Sequence, residues 1–339
     1  MTVRSKELLK LGLSLLVSAL FLVLAFRNTN LTDLYESLAS ANYLWLLLMF
    51  LCLILSHFLR ALRWRYLLNP IKPNIGLRNL FAGVMIGYMM NNILPRAGEI
   101  VRPYTIGKLE SISKSAALGT IVVERLIDIV TFLLLLVLVP FVYDGSLFDS
   151  FPWIEQGSRG LAIATAGLFS LLIILMLRRD WTDVLLKIVR KVLPEKFASR
   201  VDGLAHSFLD GFLFLKNPAD LVVITVLSAF VWGLYVLMTY VAFHAFHLQS
   251  ELGMNAALVV LAISSIGIAI PTPGGTGTYH FFTSETLTRL FGIAPSLALS
   301  YAAATHAVGL VGVTLIGLYY FLRDNIKVAE AVGAPETRT

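Results

Sequence analysis

Apolar positions along this chain come in long unbroken runs, not in the alternating pattern of half-buried strands. The runs 8–26, 41–59, 120–142, 159–177, 219–246 and 296–322 are each long enough to cross a hydrocarbon core of about 30 Å. They predict about six full membrane-spanning helices, and their continuity argues against a β-barrel. Two further apolar stretches are interrupted, Asn91-Asn92-Ile93-Leu94-Pro95-Arg96-Ala97-Gly98-Glu99 and Ile270-Pro271-Thr272-Pro273-Gly274-Gly275-Thr276-Gly277. Proline removes a donor from the helical ladder, and glycine admits conformations other residues avoid. Each interruption predicts a re-entrant or short-helix hairpin. Pro95 and Pro271 lie 176 residues apart, and the same offset carries 41–59 onto 217–235 and 120–142 onto 296–318. Matching breaks in two halves of a membrane chain point to a transport site at the repeat interface. The expected fold class is an all-α polytopic membrane protein. It forms a single integral membrane domain over 1–339, with repeat halves 41–142 and 217–322.

Composition agrees. The chain is 57% hydrophobic and 14% charged, against about 25% charged in soluble domains. Its net charge of +6 raises nucleic acid as a partner, but the basic residues gather beside the spans, which speaks for membrane orientation instead. Cys52 is the only cysteine, so neither an internal disulfide nor a thiolate metal site is available. The first run follows Arg4, Lys6 and Lys10 and continues into Arg27-Asn28-Thr29-Asn30 without a small-x-small cleavage site, so it reads as an uncleaved span.

The same charges set a topology. Residues 60–78 carry Arg60, Arg63, Arg65, Lys72 and Arg78 with no acid, and 178–218 carries eight basic residues. Connections 27–40 and 143–158 hold Arg27 against Asp33, Glu36, Asp144, Asp149 and Glu155. The positive-inside rule then puts both termini in the cytoplasm of a multi-pass cytoplasmic-membrane protein. By parity, the Pro95 hairpin enters from the inside and the Pro271 hairpin from the outside, as an inverted repeat requires. Segment 180–216 has apolar residues at helical spacing among lysines and arginines, broken at Pro194. It fits a cytoplasmic interfacial amphipathic segment or a linker hairpin.

Six charges define the candidate chemistry. Arg96, Glu99 and Arg102 lie at the first break, and Glu124, Arg125 and Asp128 lie near the start of a span. Ionisable groups in hydrocarbon cost roughly 3 kcal/mol each, so they face a cavity or pair with one another. Glu124 and Asp128 share a helix face, while Arg125 points about 100° away. The expected pairings are Arg96 and Arg102 with Glu124 and Asp128, and Glu99 with Arg125. A buried ion network accounts for the two acids as readily as a binding site does. For Arg96 and Arg102, broken backbone beside freed N–H groups favours a phosphate. Asn92, Pro95 and Gly98 shape that break. At the second break Pro271, Pro273, Gly274, Gly275 and Gly277 form a hinge whose amides are expected to cradle an anion. It lacks the Gly-Lys-Ser/Thr ending of a nucleotide P-loop. His280 and His306 are candidates for proton coupling or headgroup contact. Since no His-x-x-x-His or His-Glu-x-x-His pair exists, neither a metal nor a cofactor is expected.

Asn92-x-Leu94-Pro95-Arg96-x-Gly98-Glu99-x-x-Arg102, Glu124-Arg125-x-x-Asp128, Pro271-Thr272-Pro273-Gly274-Gly275-x-Gly277 and the basic stretch Leu59-Arg60-Ala61-Leu62-Arg63-Trp64-Arg65 together resemble the lysylphosphatidylglycerol synthase transmembrane-region family, the flippase-like membrane part of multiple peptide resistance factors. The resemblance covers nearly the whole chain. It implies movement of a lipid or lipid-linked headgroup between leaflets. Full-length members continue into a soluble aminoacyl-transferase domain, whereas this chain ends 17 residues past its last apolar run, so a stand-alone form without lysyl transfer is expected. Many members have an acid shortly after the Pro-Gly-Gly turn, where Tyr279-His280 stands here, which bears on the charge of the cargo.

The leading expectation is a non-enzymatic translocase of an anionic or modified phospholipid, with membrane lipids as partners. No nucleophile–base pair marks a catalytic residue. The alternatives are an ion-coupled transporter of a small anion and a membrane partner presenting lipid to a separate transferase. Self-association is left open.

Overall fold

The computed structural model describes residues 3–143 and 217–327, with 160, 163, 167 and 170 between them. Among these residues the structure is helical and without strands. In chain order it has α1 (Val3–Phe26), α2 (Leu31–Ala39), α3 (Tyr43–Leu68), α4 (Leu77–Ile93), α5 (Gly98–Glu110) and α6 (Lys114–Val142). It continues with α7 (Pro218–Ala245), α8 (Met254–Ala269), a 3-10 turn (Pro273–Gly275), α9 (Thr278–Phe291) and α10 (Pro295–Arg323). Polar residues start the long helices by accepting from orphan amides: Asn42 from Leu44 N, Ser113 from Ala116 N, and Asn217 from Ala219 N with Pro218 at the first helical position.

Four of these helices, α3, α6, α7 and α10, are long and apolar enough to cross a membrane, and α1 with α2 makes a fifth candidate bent by 91°. The expected span 159–177 and the amphipathic segment 180–216 lie outside the described residues. On α3 the leucines Leu44, Leu47, Leu48, Leu51 and Leu55 are exposed, as suits contact with lipid tails, while Leu46, Met49, Arg60, Arg63 and Trp64 face inward. The buried stripe changes from aliphatic to charged along one helix.

The two interrupted stretches form the short-helix hairpins expected of them. Helix α4 packs on α5 and α8 on α9. At 17, 13, 16 and 14 residues these helices run about 20–26 Å, short of a full bilayer core. Hydrogen bonds at the helix ends show where each hairpin opens. Lys72 Nζ donates to the Glu110 carboxylate at 2.9 Å, Arg78 Nη2 to Asp324 at 2.7 Å, and Lys108 Nζ to the Asn325 carbonyl at 2.6 Å. These bonds gather the start of α4, the end of α5 and the end of α10 at one end of the bundle. At the other end Asn42 N donates to Ala245 O at 2.8 Å, and Tyr143 Oη donates to Leu290 O at 2.9 Å. The hairpins therefore enter from opposite ends.

Their tips meet at the middle of α10. A Cβ on Gly274 would lie 3.0 Å from Asn92 Oδ1 and 3.4 Å from Asn92 Cα. Asn92 Nδ2 in turn donates to Thr314 Oγ1 at 2.9 Å and to Leu310 O at 3.3 Å on α10. Helix α3 runs along α7, α4 lies on α10, and α8 lies on α6, so the hairpins are clamped between long helices.

The charged end contributes a modest pH dependence. Partial burial raises the Glu110 carboxyl pKa, but hydrogen bonds from Lys72 and Asn79 and the charge on Lys72 outweigh it and hold the group below the usual carboxylate range. Lys72 is 41% exposed, so the pair is worth about 0–1 kcal/mol. A depressed carboxyl stabilises above its unfolded pKa, about 4.3, and loses that contribution as pH falls through the folded value. The melting-temperature difference between wild type and Glu110→Gln should therefore be small at pH 7 and shrink as the pH falls below about 4.3, in a fluorescence melting series.

Candidate functional site: a buried arginine cluster beside the first hairpin

Helix α6 carries Glu124 and Asp128 four residues apart, Asp128 at its midpoint, and both point inward. Around them converge Arg60 and Arg63 from α3 and Arg102 from α5. Arg102 grips Glu124 with two bonds, Nη1 to Oε1 at 3.1 Å and Nη2 to Oε2 at 2.8 Å. Arg60 Nη1 donates to Glu124 Oε1 at 2.9 Å and also to Asp128 Oδ2. Arg63 Nη2 donates to Asp128 Oδ1 at 2.7 Å, and its Nη1 donates to Ser228 Oγ at 2.9 Å on α7. Arg125 completes the group at 3.6 Å from Asp128 and 4.0 Å from Glu124.

Aromatic side chains frame the cations. The Arg102 guanidinium lies 4.1 Å from the centre of the Trp64 ring, and Trp64 Nε1 donates to Thr120 Oγ1 at 2.9 Å. Arg60 Nη2 donates to Tyr235 Oη at 3.0 Å and lies over Tyr88, on which His57 also rests. Such contacts favour a desolvated guanidinium more than an ammonium.

Four guanidiniums thus share two carboxylates. The Glu124 side chain is 0% exposed, and those of Arg60, Arg63 and Arg102 are nearly as buried. The Nε atoms of Arg60, Arg63, Arg102 and Arg125 are buried without a hydrogen-bond partner among the described residues. Buried donors are normally satisfied, so four orphan Nε donors set this cluster apart from the rest of the core. Beside Arg102 and Arg125 lies a cavity of about 10 Å³, lined also by Gly87, Tyr88, Asn91 and Glu99. That is room for roughly one water, not a phosphate. Arg125, whose side chain is 35% exposed, is the member nearest solvent or lipid.

The hairpin geometry brings Arg102 to this place. Asn91 Oδ1 accepts from Gly98 N at 2.8 Å across the break, and a Cβ on Gly98 would lie 2.1 Å from Gly87 O. A Cβ on Gly87 would lie 2.7 Å from Arg102 Cγ, so the arginine passes directly over that glycine. Two glycines let α4 and α5 touch backbone to backbone, and the side chain threads between them.

With this geometry in place, the chain can be compared with known proteins. The family described as lysylphosphatidylglycerol synthase TM region matches residues 11–317. The chain belongs to that family. It is 26% identical over 334 residues to a UPF0104 membrane protein of Methanocaldococcus jannaschii, covering 92% of this chain and 94% of that one. A UPF0104 membrane protein of Methanothermobacter thermautotrophicus is 26% identical over 295 residues, covering 84% and 86%. The glycosyltransferase AglD of Haloferax volcanii is 22% identical over 303 residues, covering 82% of this chain but 49% of its own length. No solved structure matches the chain.

Several expectations for this family member need correcting. Of the predicted pairings, the structure makes Arg102 with Glu124. Arg96 and Glu99 form no ion pair among the described residues. Arg96 sits exposed at the break with a positive φ of 63°, while Glu99 lines the same small cavity as Arg125 without closing on it. Their places opposite the acids are taken by Arg60 and Arg63, read from the sequence as loop charges of the positive-inside kind. They lie inside α3, one turn apart on its buried face. Their i, i+3 spacing, directly continuing an apolar run, was the available signal.

The second break also differs. Three of the amides expected to cradle an anion are spent within the protein: Gly275 N donates to Thr272 O, Thr276 N to Pro273 O, and Gly277 N to His280 Nδ1. Pro271 is exposed, and Ser18 Oγ of α1 donates to Thr276 O at 2.9 Å, closing the turn from outside. Among the described residues no His, Cys, Asp and Glu cluster could hold a metal ion.

Proposed function

We propose that the protein moves a phosphate-bearing lipid, or a lipid-linked headgroup, across the cytoplasmic membrane, and that the arginine cluster is where the phosphate binds. The observation that carries this reading is the excess of buried guanidiniums over carboxylates, with four unpartnered Nε donors beside the first hairpin. A phosphate presents acceptors in the fork geometry arginine prefers, and it would replace Glu124 or Asp128 on one guanidinium while satisfying idle donors on others. The reaction needs binding and motion but no covalent step, so the site has no enzymatic role in this reading.

The 10 Å³ cavity means that entry requires the hairpin to shift. The helix packing supports such a shift: exchanging α3 with α7, α4 with α8, α5 with α9 and α6 with α10 carries the α3–α4 packing onto α7–α8, α5–α6 onto α9–α10, and α4–α10 onto α8–α6. This pseudo-symmetry is the pattern of an inverted repeat, in which the two halves exchange conformations during alternating access. The end of the bundle holding Lys72, Arg78, Lys108 and Arg323 is the richer in basic residues, which supports a cytoplasmic placement for it.

A second reading draws on the glycosyltransferase relative, whose match covers about half of its length. The domain would then hold a lipid-linked sugar for a separate transferase. The two readings share the site and differ in whether the headgroup crosses.

Mass spectrometry of lipids copurified with the full chain tests the site. Wild-type protein should enrich a phosphate-bearing lipid at least tenfold over bulk membrane. Arg125→Gln should lose most of that enrichment while keeping wild-type yield and melting temperature, because its side chain is not an enclosed member of the network, whereas Arg96→Ala, outside the cluster, should keep the enrichment. Bulk lipid composition in the wild type, or full enrichment retained in Arg125→Gln, would overturn the proposal. Displacement of bound lipid by free inorganic phosphate would favour a small soluble anion as cargo.

A further inference from the structure

We infer that His280 and His306 are a proton-binding latch that holds the tip of the second hairpin shut, so that proton binding is linked to opening of the hinge. His306 Nε2 lies 2.9 Å from the Gly274 carbonyl, and a carbonyl only accepts, so this nitrogen carries the hydrogen and donates. His280 Nδ1 lies 3.3 Å from Gly277 N, and an amide only donates, so this nitrogen is unprotonated and accepts. The two rings are 4.7 Å apart, edge to face. A donating His306 and an accepting, neutral His280 thus tie down both ends of the Gly274–Gly277 turn.

That turn is where the hinge must be. Gly274, Gly275 and Gly277 have φ of 59°, 77° and 86°, the left-handed region that glycine alone enters without strain. The turn also joins the halves of the molecule. His306, Leu310 and Thr314 occupy one face of α10 at successive turns; His306 holds Gly274, while Leu310 and Thr314 hold Asn92 of the first hairpin. One helix face clasps both tips.

Adding a proton to His280 gives Nδ1 a hydrogen that points at the Gly277 N–H. The acceptor is lost, two donors face each other, and an imidazolium is left 4.7 Å from a second imidazole in a buried site. Among the described residues the surroundings offer no counter-ion. From α9 comes Tyr279, stacked on His306 with its hydroxyl 3.1 Å from Thr305 Oγ1, and from α10 comes Tyr301 behind it. The turn contributes Thr272 and Thr278, α8 contributes Ser264, α1 contributes Ser18 and Phe21, and α4 contributes Asn92. Among the described residues none of these groups is a carboxylate. A proton therefore binds far better where the tip is open and the imidazole is hydrated, and by linkage acid shifts the population toward that state. This inference goes beyond lipid movement and stands or falls without it. Joined to transport, it gives the halves a means of coupling to a proton gradient.

Hydrogen–deuterium exchange of the detergent-solubilised full chain reads the latch directly. After correction for intrinsic exchange, amides in the 270–283 peptide should exchange at least tenfold faster at pH 5 than at pH 8 in wild type. In His280→Asn, whose amide oxygen restores an acceptor near the Nδ1 position but does not titrate, this acceleration should disappear. His306→Gln, which keeps a donor toward Gly274, should reduce it. A pH-independent hinge in wild type overturns the inference, as does an acceleration retained in both variants. Failure of the lipid-copurification experiment would leave this result untouched.

Discussion

Replacing Glu124 with glutamine is expected to remove most of the folded protein from the membrane. The substitution keeps the shape and one oxygen acceptor but deletes the charge on which Arg60 and Arg102 both converge at 2.9 and 2.8 Å. Four guanidiniums then face Asp128 alone. Breaking a buried ion network by removing one partner costs about 3–5 kcal/mol, because the remaining charges stay desolvated without compensation. Native stability is commonly about 5–15 kcal/mol, so this is roughly a fifth or more of the total. Asp128→Asn should be milder, since Asp128 keeps 11% of its side chain exposed and its environment is better solvated. Membrane accumulation and fluorescence-detected gel filtration measure the effect. Glu124→Gln combined with Arg102→Gln should recover part of the loss, the coupling expected between members of one network. A Glu124→Gln protein with wild-type melting would show that the acid is held in place for function at little structural gain.

Gly98→Ala is the second large effect, and it acts through backbone. The added Cβ would sit 2.1 Å from Gly87 O and 2.7 Å from Gly87 C, with Asn91 Oδ1 at 2.9 Å. None of the first two atoms can rotate away, so α4 and α5 must separate by about 1 Å or more, at a cost on the order of 1–3 kcal/mol or above. Separation also draws Arg102 off Glu124, since that arginine rides one turn along α5. The expected signature is therefore twofold: a lower melting temperature, and loss of the lipid enrichment assigned to the cluster. Gly12→Ala, at a glycine with open space around it, is the matched control and should change neither. If Gly98→Ala lowers stability but leaves lipid retention unchanged, Arg102 is not a binding group.

Much of the architecture was written locally. Uninterrupted apolar runs dictate helices because a backbone in hydrocarbon must satisfy its own hydrogen bonds. Proline with neighbouring glycine ends the helix at both breaks, so α4 stops at Ile93 and α8 at Ala269, just before Pro95 and Pro271, whereas the isolated Pro103 and Pro140 lie inside α5 and α6. The Glu124–Asp128 face followed from helical period, and the hinge glycines do carry positive φ as their identity implies. Partner choice was not local. Arg96 and Arg102 lie six residues apart with similar prospects in the sequence, yet one reaches Glu124 and the other is exposed at the tip.

What the sequence by itself determined, then, is a helical membrane protein with two breaks, a set of costly charges and a basic bias beside the spans. Only the tertiary structure decided that Arg60 and Arg63 belong inside the charged cluster, that the Gly275–Gly277 amides answer to His280 and neighbouring carbonyls, and that Asn92 meets Gly274. Helix formation depends on neighbours three and four residues away, which any stretch of sequence displays. Pairing of buried charges depends on which helices cross and at what depth, and contacts such as Arg60 to Asp128 or His306 to Gly274 exist only after long helices have packed.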